Sequence, residues 1–288
     1  MSTTHTRDTV AAGPPPDGTR RPRPLNSAFS RTAPNRPLLG ALGIAGLLAL
    51  WELAPRLGAV PERYFPPVSE VLATLAERAT TAPFWEAVGH TLYGWALGLG
   101  IALAAAILLG FALGAAPRLR AFTTSTVDFL RPIPSVALIP LAVLVYGTDI
   151  RSTLLLVVYA CFWLIYIQVL YGVADVDPVA EQTARSYGLG RLARIRYVVW
   201  PTTLPYLMTG LRLAAAVGLI LSITAQLIIG SPGIGDQITN AQQGGAVALV
   251  YAWIVATGIL GVVINIGVRA LERRVLRWHT SVRGEAAA

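Results

Sequence analysis

The sequence contains no lysine: all 23 of its basic residues are arginine. A Walker A phosphate loop needs a lysine to reach the terminal phosphates, so that loop is excluded. Schiff-base chemistry is excluded on the same ground. If ATP powers this protein, a separate subunit must bind it. Cysteine is almost as scarce. Cys161 stands alone, which rules out an internal disulfide framework and multi-cysteine metal clusters. His5, His90 and His279 have no companion ligands at metal-site spacing, so no metal site is expected. No nucleophile-plus-base pattern is present either, and no catalytic residue is assigned. Charge is sparse, at 13% of residues, where soluble domains carry about a quarter.

What remains is apolar. Hydrophobic residues make up 54% of the chain and the mean hydropathy is +0.58, which places it in the membrane class. The net charge of +8 is carried by arginines clustered at the ends of apolar runs. Orientation in a bilayer accounts for that pattern, and nucleic-acid binding is rejected.

Residues 1–36 hold six arginines and six prolines and read as a disordered tail, because they cannot bury enough apolar area to offset chain entropy. No signal-peptide pattern appears, so the first apolar run is expected to stay as an anchor. A spanning helix needs about 20 mostly apolar residues. Six candidates meet this: Pro37 to Pro55, a stretch within His90–Pro117, Thr124–Tyr146, Ser152–Ala174, Thr203–Ile229 and Ala246–Ile266. The third is unusual, with Arg131, Pro132, Pro134 and Pro140 near its start. Six spans put both termini on one side. Assigning that side to the cytoplasm places 19 of the 23 arginines there, against Arg56, Arg63, Arg78 and Arg151 outside, as the positive-inside rule requires. Between the first two spans, Val68, Val71, Leu72 and Leu75 fall at helical spacing, which predicts an amphipathic helix on the outer surface.

The segment after the fourth span is polar and punctuated. Asp177 followed by Pro178 is a helix start: the carboxylate accepts from free N–H groups, and proline at the first position gives up a donor without a partner. Gly188 is placed to stop the helix. A second short helix is expected over Arg191–Val199, before Pro201 and Pro205 lead back into the membrane. Ala184 and Gly188, four apart, would let the backbone approach a partner closely, as in docking to a groove on a soluble subunit. An ordinary positively charged loop fits the same spacing.

The segment EQTARSYGLGRLARIRYVVWPTTLP resembles the cytoplasmic signature of integral-membrane permease subunits of binding-protein-dependent ABC importers, read as Glu-Ala-Ala, three residues, Gly, nine residues, Ile, one residue, Leu-Pro. Ala184, Gly188, Val198 and Pro201 fall on that frame. Gln182 takes the Glu position with Glu181 one place earlier, Thr183 replaces the first Ala, and Trp200 the Leu. FPPVSEVLATL, FLRPIPSVALIPLAVLVYG, GLRLAAAVGLILSITAQLIIGSPGIG and ERRVLRW are similar to the sulfonate, taurine and nitrate branch, covering residues 38–278. That branch usually has an acidic residue where this chain has Gln226.

The resemblance implies an all-α, polytopic protein of the type I ABC importer permease kind in a bacterial plasma membrane, with both termini cytoplasmic. Residues 37–278 would form the membrane domain, 175–202 its coupling loop, and 279–288 a C-terminal tail. Asp177, Pro178, Glu181, Gln182, Ala184, Gly188, Val198 and Pro201 would lie in the loop that a partner ATPase grips. Two copies of that ATPase would bind ATP and Mg, and this chain would hold no cofactor. An extracytoplasmic substrate-binding protein and a second permease subunit, identical to the first, are the other implied partners besides lipid. The pathway would carry a small polar or anionic substrate.

Intramembrane polar residues are costly in lipid and usually face a cavity or a partner. Gln226, deep in the fifth span, would line the pathway or bridge helices. The prolines of LRPIPSVALIP point to a broken helix, with Pro134 and Ser135 as pathway or gate positions. Arg131 and Arg212, at the expected cytoplasmic edges of their spans, are better explained by snorkelling than by attraction of an anion. Glu52 is expected at the interface. GSPGIG (230–235) reads as an outer loop, either a hinge or contact for the binding protein or a plain tight connection. Two rival functions are a gradient-driven secondary transporter, against which the lack of central acidic residues in spans two to six argues, and a non-transporting anchor of a complex.

Overall fold

The computed structural model describes residues 36–114 and 116–277. The proposed tails therefore lie outside the described residues, except for Arg36. The chain divides into two units at Ala49, inside the first helix, and all the packing that follows belongs to the unit from Leu50 onward.

Among the described residues, every regular element is helical. The helices are α1 (Arg36–Arg56), α2 (Val68–Arg78), α3 (Ala82–Gly114), α4 (Pro117–Leu130), α5 (Ile139–Tyr146), α6 (Ile150–Ala174), α7 (Pro178–Ser186), α8 (Arg191–Arg194), α9 (Trp200–Ile229), α10 (Ile234–Gln243) and α11 (Val247–Val275). Five of the apolar runs are long enough to cross a membrane, and α4 with α5 forms a sixth run bent by 81°.

Helices α3, α6 and α9 form the centre, and small residues set how they meet. A Cβ added at Gly98 would lie 2.7 Å from Val157, at Gly110 2.5 Å from Val169, and at Gly114 2.6 Å from Val173. These valines press onto bare backbone, and such close approach is what holds helices together in lipid, where no hydrophobic force separates protein from solvent. The pairs rise together in number, so α3 and α6 run parallel. The bent α4–α5 pair must therefore recross the layer between them, which makes it one span. Helix α9 runs antiparallel to α6: Gly172 meets Thr203, Gly210 meets Ile165 and Gln168, and Gly218 meets Cys161.

At one end, Glu52 accepts hydrogen bonds from the Ser69 backbone N–H (2.9 Å) and hydroxyl (2.8 Å), and so caps α2. Arg56 pairs with the same carboxylate. Trp51, Phe65 and Tyr251 cluster beside it. The expected amphipathic helix is α2, which buries Val68 and Val71 while Leu72 stays exposed. Residues 230–233 are a tight connection leading into α10, a helix the sequence reading missed: Gly230 closes α9 at φ 75°, and Gly233, at φ 152°, stands just before α10.

Candidate functional site

The polar segment after α6 is locked by its own residues. Tyr206 on α9 donates to the Asp175 carboxylate at 2.9 Å, tying the loop's entry to its exit. Asp177 accepts from the Val179 N–H at 2.8 Å, and Pro178 opens α7. At the other end, the Gly188 N–H reaches the Arg185 carbonyl and the Leu189 N–H the Ala184 carbonyl, at 2.9 and 3.0 Å. This pair of bonds is a Schellman stop, and it needs the left-handed conformation that Gly188 adopts at φ 74°. One oxygen of Glu181 then accepts from Arg185 (2.9 Å) and Arg194 (3.0 Å), so a single carboxylate bolts α7 to α8.

The return into the membrane is continuous, contrary to the expected break. Residues Ile195–Val199 form one π-helical turn, with the Trp200 N–H bonding back to the Ile195 carbonyl. Pro201 cannot donate to the carbonyl four residues back, and the widened turn carries the helix past it. Trp200 stacks on Phe111 of α3 at 5.7 Å. Val198 is half-buried and accepts from the Thr202 hydroxyl.

A second feature lies in the broken span. Pro134 has no N–H to give the Leu130 carbonyl, which accepts from the Ile133 N–H at 3.1 Å and from the Tyr159 hydroxyl of α6. Tyr159 sits roughly 13 Å along α6 from Ile150 and roughly 22 Å from Ala174 at 1.5 Å per residue. The elbow therefore lies within the layer, and so does Arg131. The snorkelling reading of Arg131 is corrected here: the span that contains it begins at Arg118, so Arg131 is at its middle and not at its edge. A cavity of about 410 Å³ opens beside the elbow, lined in part by Arg131, Ser135, Tyr159, Trp163, Gln168 and Tyr171.

Gln226 lies one turn from the end of α9 and is 2% exposed, inside the protomer. Its amide oxygen accepts from the Thr91 hydroxyl of α3 (2.9 Å) and from the Gly235 N–H of α10 (3.3 Å), while Thr91 accepts from the Ile234 N–H at 2.9 Å. Of its two expected roles, bridging helices is the one this geometry expresses.

Residues 81–277 match the family described as the binding-protein-dependent transport system inner membrane component. The chain belongs to this family. It is the permease subunit of an ABC importer, a multi-pass protein of the inner membrane that works with an ATPase and a substrate-binding protein. It is 31% identical to the taurine transport system permease protein TauC of Escherichia coli, over 83% of this chain and 89% of that relative. It is 27% identical to SsuC of Bacillus subtilis, which is named for aliphatic sulfonate transport, over 90% of this chain and 95% of that relative. Among solved structures, a bacterial ABC transporter involved in import of the acidic polysaccharide alginate shares the fold. Its TM-score is 0.60 at 16% identity, over 83% of this chain and 99% of that one.

Within the permease, the two groups of predicted residues fall apart in space and in kind. Asp177, Pro178, Glu181, Gln182, Ala184 and Gly188 form one folded unit, Val198 lies on the turn that joins it to α9, and Pro201 stands in the first turn of α9. Ala184 does not face outward, because it is buried against its own chain. The outward apolar groups are ones the sequence reading passed over: Val179, Tyr187 and Leu192, at 68%, 81% and 84% exposure, with Tyr197 also exposed nearer to α9. An aromatic and a leucine flanking an exposed glycine turn were visible in the sequence, but nothing local told which side of the turn they take.

Proposed function

We propose that the unit from Asp177 to Pro201 is the coupling element of this permease, docked on its cytoplasmic side into the partner ATPase through Val179, Tyr187 and Leu192. The observation that carries this reading is the combination of large exposed apolar side chains with a unit stiffened by the Glu181 clamp and the Gly188 stop. Aromatic anchors on a rigid support are what a binding hot spot requires. Residues 37–278 form the membrane domain, with both termini in the cytoplasm. Two identical copies, each bound to one ATPase subunit, enclose the pathway, and a binding protein delivers substrate from the outer side.

ATP binding draws the ATPases together and shifts the docked units. Because Asp175 and Tyr206 tie each unit to α6 and α9, and those helices meet through Gly172 and Thr203, the push reaches the bundle centre without slack. The α4–α5 elbow, with Pro134 and Ser135, gives way between an inward and an outward arrangement. Gln226 braces the protomer at the opposite end. The cargo is a small oxyanion of the sulfonate class, a reading supported by the likeness to the taurine permease. Specificity lies largely in the separate binding protein.

The test is reconstitution of permease, ATPase and binding protein in liposomes, with radiolabelled taurine, ethanesulfonate and nitrate offered in turn. ATP-dependent uptake is expected, and Tyr187→Ala with Leu192→Ala should abolish co-purification of the ATPase. Uptake driven by an ion gradient alone would instead mean a secondary transporter, and no uptake with any partner would mean an anchor.

A further inference from the structure

We infer that the cavity at the α4–α5 elbow is an oxyanion-binding station within the membrane, formed by Arg131, Ser135, Trp163 and Gln168. This deepens the sulfonate reading above and rests on it.

Among the described residues, Arg131 is the only charged one lining the cavity. Among the described residues it makes no ion pair, not even with Asp128 one turn back on α4. A lone cation at this depth is expensive and marks a function by default. The indole N–H of Trp163 adds a second requirement: it is buried and has no acceptor among the described residues. Buried donors left without a partner are rare and call for an explanation. Ser135 and Gln168 make no side-chain hydrogen bond there either, whereas Tyr159, on the same wall, already caps the Leu130 carbonyl. The cavity thus presents a guanidinium, an amide and a hydroxyl, all able to donate, with the unpartnered indole N–H of Trp163 buried in its wall and no acidic side chain among the described residues.

That set matches one ligand chemistry. A guanidinium grips two oxygens of a sulfonate, carboxylate or nitrate in a fork, and neutral donors fill the remaining lone pairs without adding charge. At about 410 Å³ the space holds roughly a dozen waters at ~30 Å³ each, enough for a short organic anion with part of its hydration. Its place beside the broken helix is suited to release: when the elbow straightens, Ser135 and Arg131 move relative to Trp163 and Gln168, which stay on α6. The station therefore holds the anion in one arrangement and lets it go in the other.

The test uses the chain co-purified with its ATPase in phosphatidylcholine nanodiscs and measures radiolabelled ethanesulfonate by scintillation proximity, with excess chloride as control. Wild type should bind saturably. Arg131→Gln and Trp163→Phe should each weaken binding about tenfold, the effect of one lost charged or buried hydrogen bond, and Arg131→Lys should recover part of it. In liposomes Trp163→Phe should raise the KM for uptake more than it lowers kcat. Equal binding by wild type and both variants, or no saturable binding by wild type, overturns the station even if ATP-driven uptake stands. A preparation lacking the ATPase would fail the coupling reading, while ethanesulfonate binding by the chain would still decide this one.

Discussion

Gly188 adopts φ 74°, and nothing lies within 4 Å of where a Cβ would sit. The demand for glycine there is one of backbone and not of space. Gly188→Val should cost about 1–3 kcal/mol locally and lower ATPase co-purification and ATP-driven uptake. Gly188→Asn should do so less, since asparagine tolerates the left-handed region. A valine variant that couples as well as wild type would remove the Schellman stop from the argument. Thr91 is a different case, a hydroxyl both donating to Gln226 and accepting from Ile234. Thr91→Val keeps the shape but strands both partners, and about 1–3 kcal/mol of stability should go with it, seen as a lower Tm in detergent. Caps such as Asp177, Pro178 and Gly188 were legible in sequence because their chemistry is local. Tyr187 and Leu192 were not, because exposure belongs to the fold.

At the level of helices, the valine-on-glycine contacts between α3 and α6 offer a paired experiment. Gly98→Ala puts a methyl 2.7 Å from Val157 and should cost about 1–3 kcal/mol. Adding Val157→Ala opens the space, so the double variant should recover much of the loss in a thermal-unfolding cycle. Additive losses would mean that the contact does not set the helix spacing. The expected spans were found close to their predicted positions because long apolar runs carry that signal. Two things were not readable. The run from Ile234 to Gln243 is polar and follows Gly230 and Gly233, and no helix was assigned to it beyond the outer loop at 230–235. It is a helix because a bare Gly235 fits against the Ile223 carbonyl, where a Cβ would lie 2.3 Å away. The depth of Arg131 was missed because arginine commonly marks the end of a span, and only the parallel packing of α3 and α6 reveals that α4 belongs to the same crossing.

The molecule as a whole poses a question of sidedness. If the α7–α8 unit faces the cytoplasm, Ser186→Cys should react with a membrane-impermeant maleimide in inverted vesicles and not in intact cells, and the reverse labelling would refute the proposed docking. The native cysteine will not confuse that readout, for Cys161 is fully buried between α6 and α9 and its thiol donates to the Ala214 carbonyl. The same burial makes the wild-type chain a blank background for magnetic spectroscopy. One nitroxide at position 186 in each copy would report a spin–spin distance across the assembly, and the change in that distance would follow the stroke as ATP is consumed.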